Sequence, residues 1–133
     1  MTAARRTAAV RAGRALSALA VLFLLWDAAI KITVNVHVVE GFARLGIPAH
    51  LPRTIGLLEL ALVLLHLFPR TAALGAVLLT GFLGGATMLH LRVGDPWATH
   101  VLFASYLGAL LWAGLLLRRP QVRVLLPFHP AAP

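Results

Sequence analysis

Four apolar runs, at residues 15–34, 51–68, 71–91 and 97–117, take up most of the chain and constrain its fold more than any other feature. An apolar run of about 20 residues, wound as a helix, matches the hydrocarbon thickness of a bilayer. The runs predict an all-α membrane protein, a bundle of four transmembrane helices. Composition agrees. Only 12% of the residues are charged and 60% are hydrophobic, whereas soluble domains carry roughly 25% charged residues. A chain of 133 residues with so few charges cannot cover its apolar surface with polar groups, so lipid is its natural solvent. The length suits one compact transmembrane domain, residues 1–133, with a basic arm at 1–13 and a tail at 118–133.

The connections carry readable chemistry. Pro69 stops the second run, and Thr71 is placed to cap the third helix. Gly94 ends that helix, Asp95 is expected to cap the next, and Pro96 suits its first turn. Between the first two runs lies a longer segment, from Asn35 to Leu51. Val36, Val39, Phe42 and Ala43 fall on one helical face there, and Glu40 and Arg44 are spaced to pair four apart. Gly46 and Pro48 then break the pattern. This segment predicts a short interfacial helix, lying on the membrane or over the bundle mouth.

Charge sets the expected orientation. Arg5, Arg6, Arg11, Arg14, Arg70, Arg118, Arg119 and Arg123 fall on one side, against Arg44, Arg53 and Arg92 on the other. Basic residues concentrate on the cytoplasmic side of short loops. Both termini are therefore expected in the cytoplasm of a bacterial cell, with the bundle in its inner (cytoplasmic) membrane. The net charge of +8 also raises nucleic-acid binding, but the arginines flank the spans and no binding motif accompanies them. The N-terminal arginines followed by an apolar run also resemble a signal peptide, yet the run continues past Asp27 to Ile30 without a small-x-small site, so a retained first span is expected. With no cysteine, disulfides, thiol relays and thiolate metal sites are excluded.

Ionisable residues inside a span are costly and usually face the bundle interior. Asp27 and Lys31 lie late in the outward-running first span, and Glu59 lies early in the inward-running second. His90 ends the third span and His100 begins the fourth. Five ionisable groups thus converge on the outer leaflet, against His66 alone in the inner half. One reading is structural: Asp27 and Lys31 neutralise each other, His90 bonds a hydroxyl or carbonyl on the face it shares with Thr87, and His100 is a solvated or capping residue. The other is functional: Glu59 competes for Lys31, leaving a carboxyl able to hold or release a proton. Asp27, Glu59 and His90 are then the candidate catalytic groups. No recognised ligand spacing supports a metal at His90 and His100.

The third span carries Gly75, Gly81, Gly84 and Gly85, which permit close helix packing or, at Gly84 and Gly85, clear space for a ligand beside the charged cluster. Ser105, Gly108 and Trp112 share a face of the fourth span. Trp26, Trp97 and Trp112 read as interfacial belt residues or as a flat pocket wall.

The sequence resembles the DoxX-like membrane proteins at Asp27–Ala28–Ala29–Ile30–Lys31, at Val39–Glu40–Gly41–Phe42 with Leu45–Gly46–Ile47–Pro48, and at Ile55–Gly56 with Leu58–Glu59–Leu60. The Pro69–Arg70–Thr71–Ala72 turn and the run from Gly84–Gly85–Ala86–Thr87 through His90 to Pro96 extend the likeness over Arg14 to Leu125. The resemblance implies a four-span bundle and a redox context, since the founding member is a small subunit of a thiosulfate:quinone oxidoreductase. The expectation that follows is an outer-leaflet pocket holding a quinone or another lipophilic small molecule and serving a redox partner protein. Its ligand-binding residues would be Asp27, Lys31, Glu59, Gly84, Thr87, His90 and His100. A cofactor-free acid/base enzyme on a membrane-soluble substrate (an isomerase, or an epoxide hydrolase or cyclase) is the alternative. A monomeric transporter is disfavoured by the apolar inner half, and a homo-oligomer stays open.

Overall fold

The structure is a computed structural model that describes residues 2–125. The part of the expected tail beyond residue 125 lies outside the described residues. The described chain is helical throughout: α1 (Ala3–Ile32), α2 (Val36–Arg44), α3 (Pro52–Leu67), α4 (Ala72–Arg92) and α5 (Phe103–Arg118). One π turn, Trp97–Val101, leads into α5, and a 3-10 segment, Pro120–Leu125, follows it. The basic arm is no separate element. It is the first part of α1, because Ala and Arg between Ala3 and Gly13 are strong helix formers with nothing to break them.

α1 packs against α3 and α5, α3 against α4, and α4 against α5, closing a ring. Its core joins Ala20, Val21 and Leu24 of α1 to Val63 of α3, Leu79 and Leu83 of α4, and Ala104, Leu107 and Leu111 of α5. The outward faces are as apolar as the core: Leu19, Leu22, Leu57, Leu74, Val77 and Met88 are all more than half exposed. A continuous apolar exterior of this kind has no stable place in water. Three helices, Ala3–Ile32, Ala72–Arg92 and Trp97–Arg118, are long and apolar enough to cross a membrane. α3 is shorter, with 16 residues.

Glycine does less in α4 than its pattern suggests. Only Gly75 is a close-packing site, where an added Cβ would lie 2.3 Å from the His66 backbone nitrogen of α3; at Gly81, Gly84 and Gly85 a Cβ would meet nothing within 4 Å. At the same end, His66 is fully buried. Its Nδ1–H donates to the Ala72 carbonyl at 3.0 Å, so Nε2 accepts from the Arg118 guanidinium at 3.2 Å.

Several local expectations are corrected. Thr71 does not cap α4 with its side chain; its hydroxyl donates to the Leu65 carbonyl at 2.7 Å, tying the turn to α3. Asp95 caps no helix, because its carboxylate accepts from the Arg44 guanidinium at the end of α2 and from the His90 ring. Glu40 does not pair with Arg44 and lies 3.9 Å from His37 instead. In α2 the inward face is Val38, Phe42 and Leu45, whereas Val36 is 61% exposed. That face is set by the entry geometry. Val34 adopts a positive φ of 52°, reversing the chain, and the Asn35 side chain then caps α2 by accepting from the His37 N–H at 2.9 Å.

Candidate functional site

The site forms where α3 comes closest to α1. Gly56 makes the approach feasible: a Cβ there would lie 2.8 Å from the Lys31 Cβ and 2.9 Å from the Ala28 carbonyl oxygen. One turn later, Glu59 reaches Lys31. The Lys31 ammonium donates to Asp27 Oδ2 at 2.6 Å and to Glu59 Oε2 at 2.7 Å. The question of which carboxylate takes the lysine is thus resolved in favour of both. Asp27 keeps 27% of its side chain exposed, Lys31 12% and Glu59 none. Glu59 Oε1 is buried without a hydrogen-bond partner. The Phe82 ring lies 5.6 Å from the ammonium, a cation–π contact on its apolar side.

Two carboxyls and one ammonium make a cluster that one proton switches between neutral and singly negative. Of the three ammonium N–H groups, two are used inside the cluster, and the third can donate to a ligand oxygen.

This cluster forms one wall of a cavity of about 340 Å³. The same cavity is lined by His90 and His100, whose rings are 5.6 Å apart. Between them the lining is apolar, with Phe23, Leu24, Phe82, Leu83, Ala86 and Phe103 prominent. α2 also lines the cavity, contributing Val38, Gly41 and Phe42. Ligand sites have this make-up: apolar walls with a few convergent polar groups.

α2 is held in place by side chains that sequence reasoning assigned elsewhere or did not use. Arg44, the last residue of α2, grips Asp95 with both terminal nitrogens, one of them 3.2 Å from Oδ2. His90 donates its Nδ1–H to the same Oδ2 at 2.6 Å, leaving Nε2 for a ligand. Arg92 donates to the Leu45 carbonyl, just past the end of α2. Hydrogen bonds from Arg44 and then His90 hold the Asp95 carboxyl down at about 2, below the ordinary 3.8. His90 therefore bonds a carboxylate rather than a hydroxyl or carbonyl, and Thr87 turns its hydroxyl to the Leu83 carbonyl. The signal available in the sequence was the charge complementarity of Arg44 and Asp95, obscured by the nearer Glu40.

Of the residues expected to bind a ligand, Asp27, Lys31, Glu59, His90 and His100 line this one cavity. Gly84 and Thr87 do not. They lie on the side of α4 that faces α5 outside the ring, in a second cavity with Ser105, Gly108 and Trp112. The spacing of Gly84 and His90, six residues, turns the two to different helix faces. His100 contacts the Thr99 hydroxyl at 2.9 Å. Among the described residues no three histidine or acidic side chains cluster as metal ligands.

No curated protein and no solved structure matches this chain. The model of the DoxX-like family matches residues 15–114, a range that contains every residue lining the cavity. With the match covering most of the chain and the helices apolar enough to span a bilayer, this is a membrane protein belonging to the DoxX-like family.

Proposed function

We propose that this protein crosses the bacterial inner membrane four times, with both termini cytoplasmic, and binds a lipophilic small molecule with a quinone-type head in the cavity beneath α2, in a redox-related role. The supporting observation is the cavity itself: about 340 Å³, mostly apolar, and lined both by the Asp27–Lys31–Glu59 cluster and by His90 and His100. A ring with an oxygen at each end would place one oxygen at the free Lys31 N–H and the other at the histidines. Reduction of a quinone to the quinol takes two electrons, supplied by the partner protein, and two protons, one of which the carboxyls hold or supply; quinol oxidation returns both.

In this reading α3 is the short span. Its 16 residues rise about 24 Å, less than the roughly 30 Å of a typical hydrocarbon core. Arg53 and Arg70 at its ends reach toward the headgroups, and local thinning accommodates the rest. α2 then lies at the outer interface, and a redox partner protein exchanges electrons with the bound ligand.

Native mass spectrometry on protein gently extracted from its own membrane tests the binding reading, comparing wild type with Glu59→Gln. A co-purifying quinone or lipid that is lost in the variant supports it. A wild-type protein that carries nothing, or a ligand indifferent to Glu59, counts against it.

The partnerless Glu59 Oε1 favours one second reading, a cofactor-free acid/base enzyme acting on a membrane-soluble substrate. Glu59 or Asp27 would move the proton and His90 would return it. Turnover retained in an Asp27→Asn, Glu59→Gln double variant would remove this alternative.

A further inference from the structure

The second cavity is about as large as the first, at about 330 Å³, and runs along the outer seam between α4 and α5. The two cavities share two lining residues, Leu83 and Ala104. They therefore stand back to back, separated by one leucine from α4 and one alanine from α5. The Leu83 side chain closes the gap by resting toward the α5 backbone, 3.8 Å from where a Cβ would stand on Gly108.

The chemistry of the second cavity is that of a hydrocarbon groove. The Thr80 hydroxyl donates to the Ala76 carbonyl at 2.8 Å and accepts from the Trp112 indole N–H at 2.9 Å. The Thr87 hydroxyl donates to the Leu83 carbonyl at 3.1 Å. Both threonine hydroxyls are thus spent on the protein. Gly84 adds open space, since a Cβ there would meet nothing within 4 Å. The first cavity is lined from His90 back to Phe82 on α4 and as far as Leu107 on α5, whereas the second reaches Thr80 and Trp112, further from the His90 end. A head near the interface and a groove running toward the bilayer centre match the two parts of an amphiphile.

We infer that the second cavity is the tail site of the same ligand: a small polar head occupies the cavity under α2, and an alkyl or isoprenoid chain leaves past Leu83 and Ala104 to lie in the α4–α5 groove. This inference rests on the head-binding reading and deepens it by assigning the ligand class, a head with a chain long enough to reach the groove.

The test uses two probes with one head, a benzoquinone carrying a decyl chain and the same benzoquinone without it, on full-length protein in nanodiscs. Gly84→Leu and Ser105→Leu each fill the groove from an exposed position, and leucine forms helix better than glycine or serine. Gly81→Leu, equally open but outside the groove, is the control. The decyl probe is expected to lose at least about tenfold in affinity in both groove variants, with the tail-less probe unchanged and Gly81→Leu like wild type. If the decyl probe binds the groove variants as well as wild type, or both probes fall together, the tail site is wrong while head binding stands. If neither probe binds wild type, the head reading fails and the tail site goes with it.

Discussion

Replacing Lys31 with methionine removes the cation that two carboxyls share, and the two contacts have very different weights. Asp27 is about a quarter exposed and sits on the same helix, so its pair with Lys31 belongs with partly solvated pairs worth roughly 0–1 kcal/mol. Glu59 is fully buried and reaches Lys31 from a different helix. Removing one partner of such a buried pair leaves an uncompensated group in the interior and costs about 3–5 kcal/mol. The α1–α3 packing at Gly56 is held by the same contact, so the loss falls on the bundle rather than on one side chain. Lys31→Met is therefore expected to destabilise by about 3 kcal/mol or somewhat more, and Asp27→Asn by about 1 kcal/mol or less. The decisive variant is Lys31→Met with Glu59→Met. A buried ion pair replaced by apolar side chains of similar size is often neutral or stabilising, so the double variant is expected to recover most of the single variant's loss. Unfolding in detergent, followed by far-UV circular dichroism, reads all four proteins. A double variant no more stable than Lys31→Met alone would refute the argument that a stranded buried carboxyl causes the loss. If it recovers, it also provides a folded bundle without the Lys31–Glu59 pair, against which any ligand can be tested.

Asp95→Asn is expected to release α2, raising amide hydrogen exchange over residues 36–44 while the core of α1 stays protected; unchanged exchange would show that Arg92 alone holds α2. The Asp95 carboxyl is held at about 2 against an ordinary 3.8, a depressed value, so its contribution is complete above about pH 4 and fades as pH falls toward 2. The latch is thus expected to stay closed at any physiological pH. Gly75→Ala, which places a Cβ 2.3 Å from a backbone nitrogen, is expected to lower stability by about 1–3 kcal/mol in the same unfolding assay. Gly81→Ala, facing open space, is expected to be neutral or to stabilise by up to about 1 kcal/mol. For topology, the absence of cysteine allows single-cysteine labelling in an otherwise unaltered chain. Ala49→Cys is expected to react with an impermeant maleimide in spheroplasts, and Ala8→Cys and Gln121→Cys only after lysis; opposite accessibility of the two ends would mean an odd number of crossings.

The helices were legible because their cause is local. Runs of leucine, alanine and valine broken by Pro52, Pro69, Gly94 and Pro96 mark the ends of α3, α4 and the helix into α5 within a residue or two. The polar cluster was legible for a different reason. Charged groups are so costly in lipid that Asp27, Lys31 and Glu59 had to meet, and antiparallel neighbours at matched depth can meet in one way. What stayed hidden depends on rotation about a helix axis. Val36, Val39, Phe42 and Ala43 form as good an apolar stripe as Val38, Phe42 and Leu45, and Val34 at positive φ goes with the second, which keeps Phe42 inside and leaves Val36 exposed. Arg44 had two acids within reach, and the closer in sequence lost to Asp95, which accepts from both terminal guanidinium nitrogens and is itself gripped by His90. Small size at Gly84 and the three-residue spacing of Thr87 from His90 point both toward the charged cluster, yet both line the second cavity on the other side of α4.

The placement of the acids follows from the same physics. The chain has four carboxylates: Asp27, Glu40, Glu59 and Asp95. A bundle solvated by lipid gains no solubility from an acid within it, so each acid that reaches the interior has to be justified by what it holds. Glu40 is exposed on the outside of α2. Asp27 and Glu59 hold Lys31 at the cavity wall, and Asp95 holds α2 and one of the lining histidines. The opposite end has arginines and a buried, neutral-bonded His66 with no acid at all, although it packs just as tightly at Gly75. Packing therefore does not require carboxylates in this fold. Their concentration around one cavity supports the proposal that they serve a bound ligand, and the apolar lining of the cavity and of the neighbouring groove suits a lipophilic one.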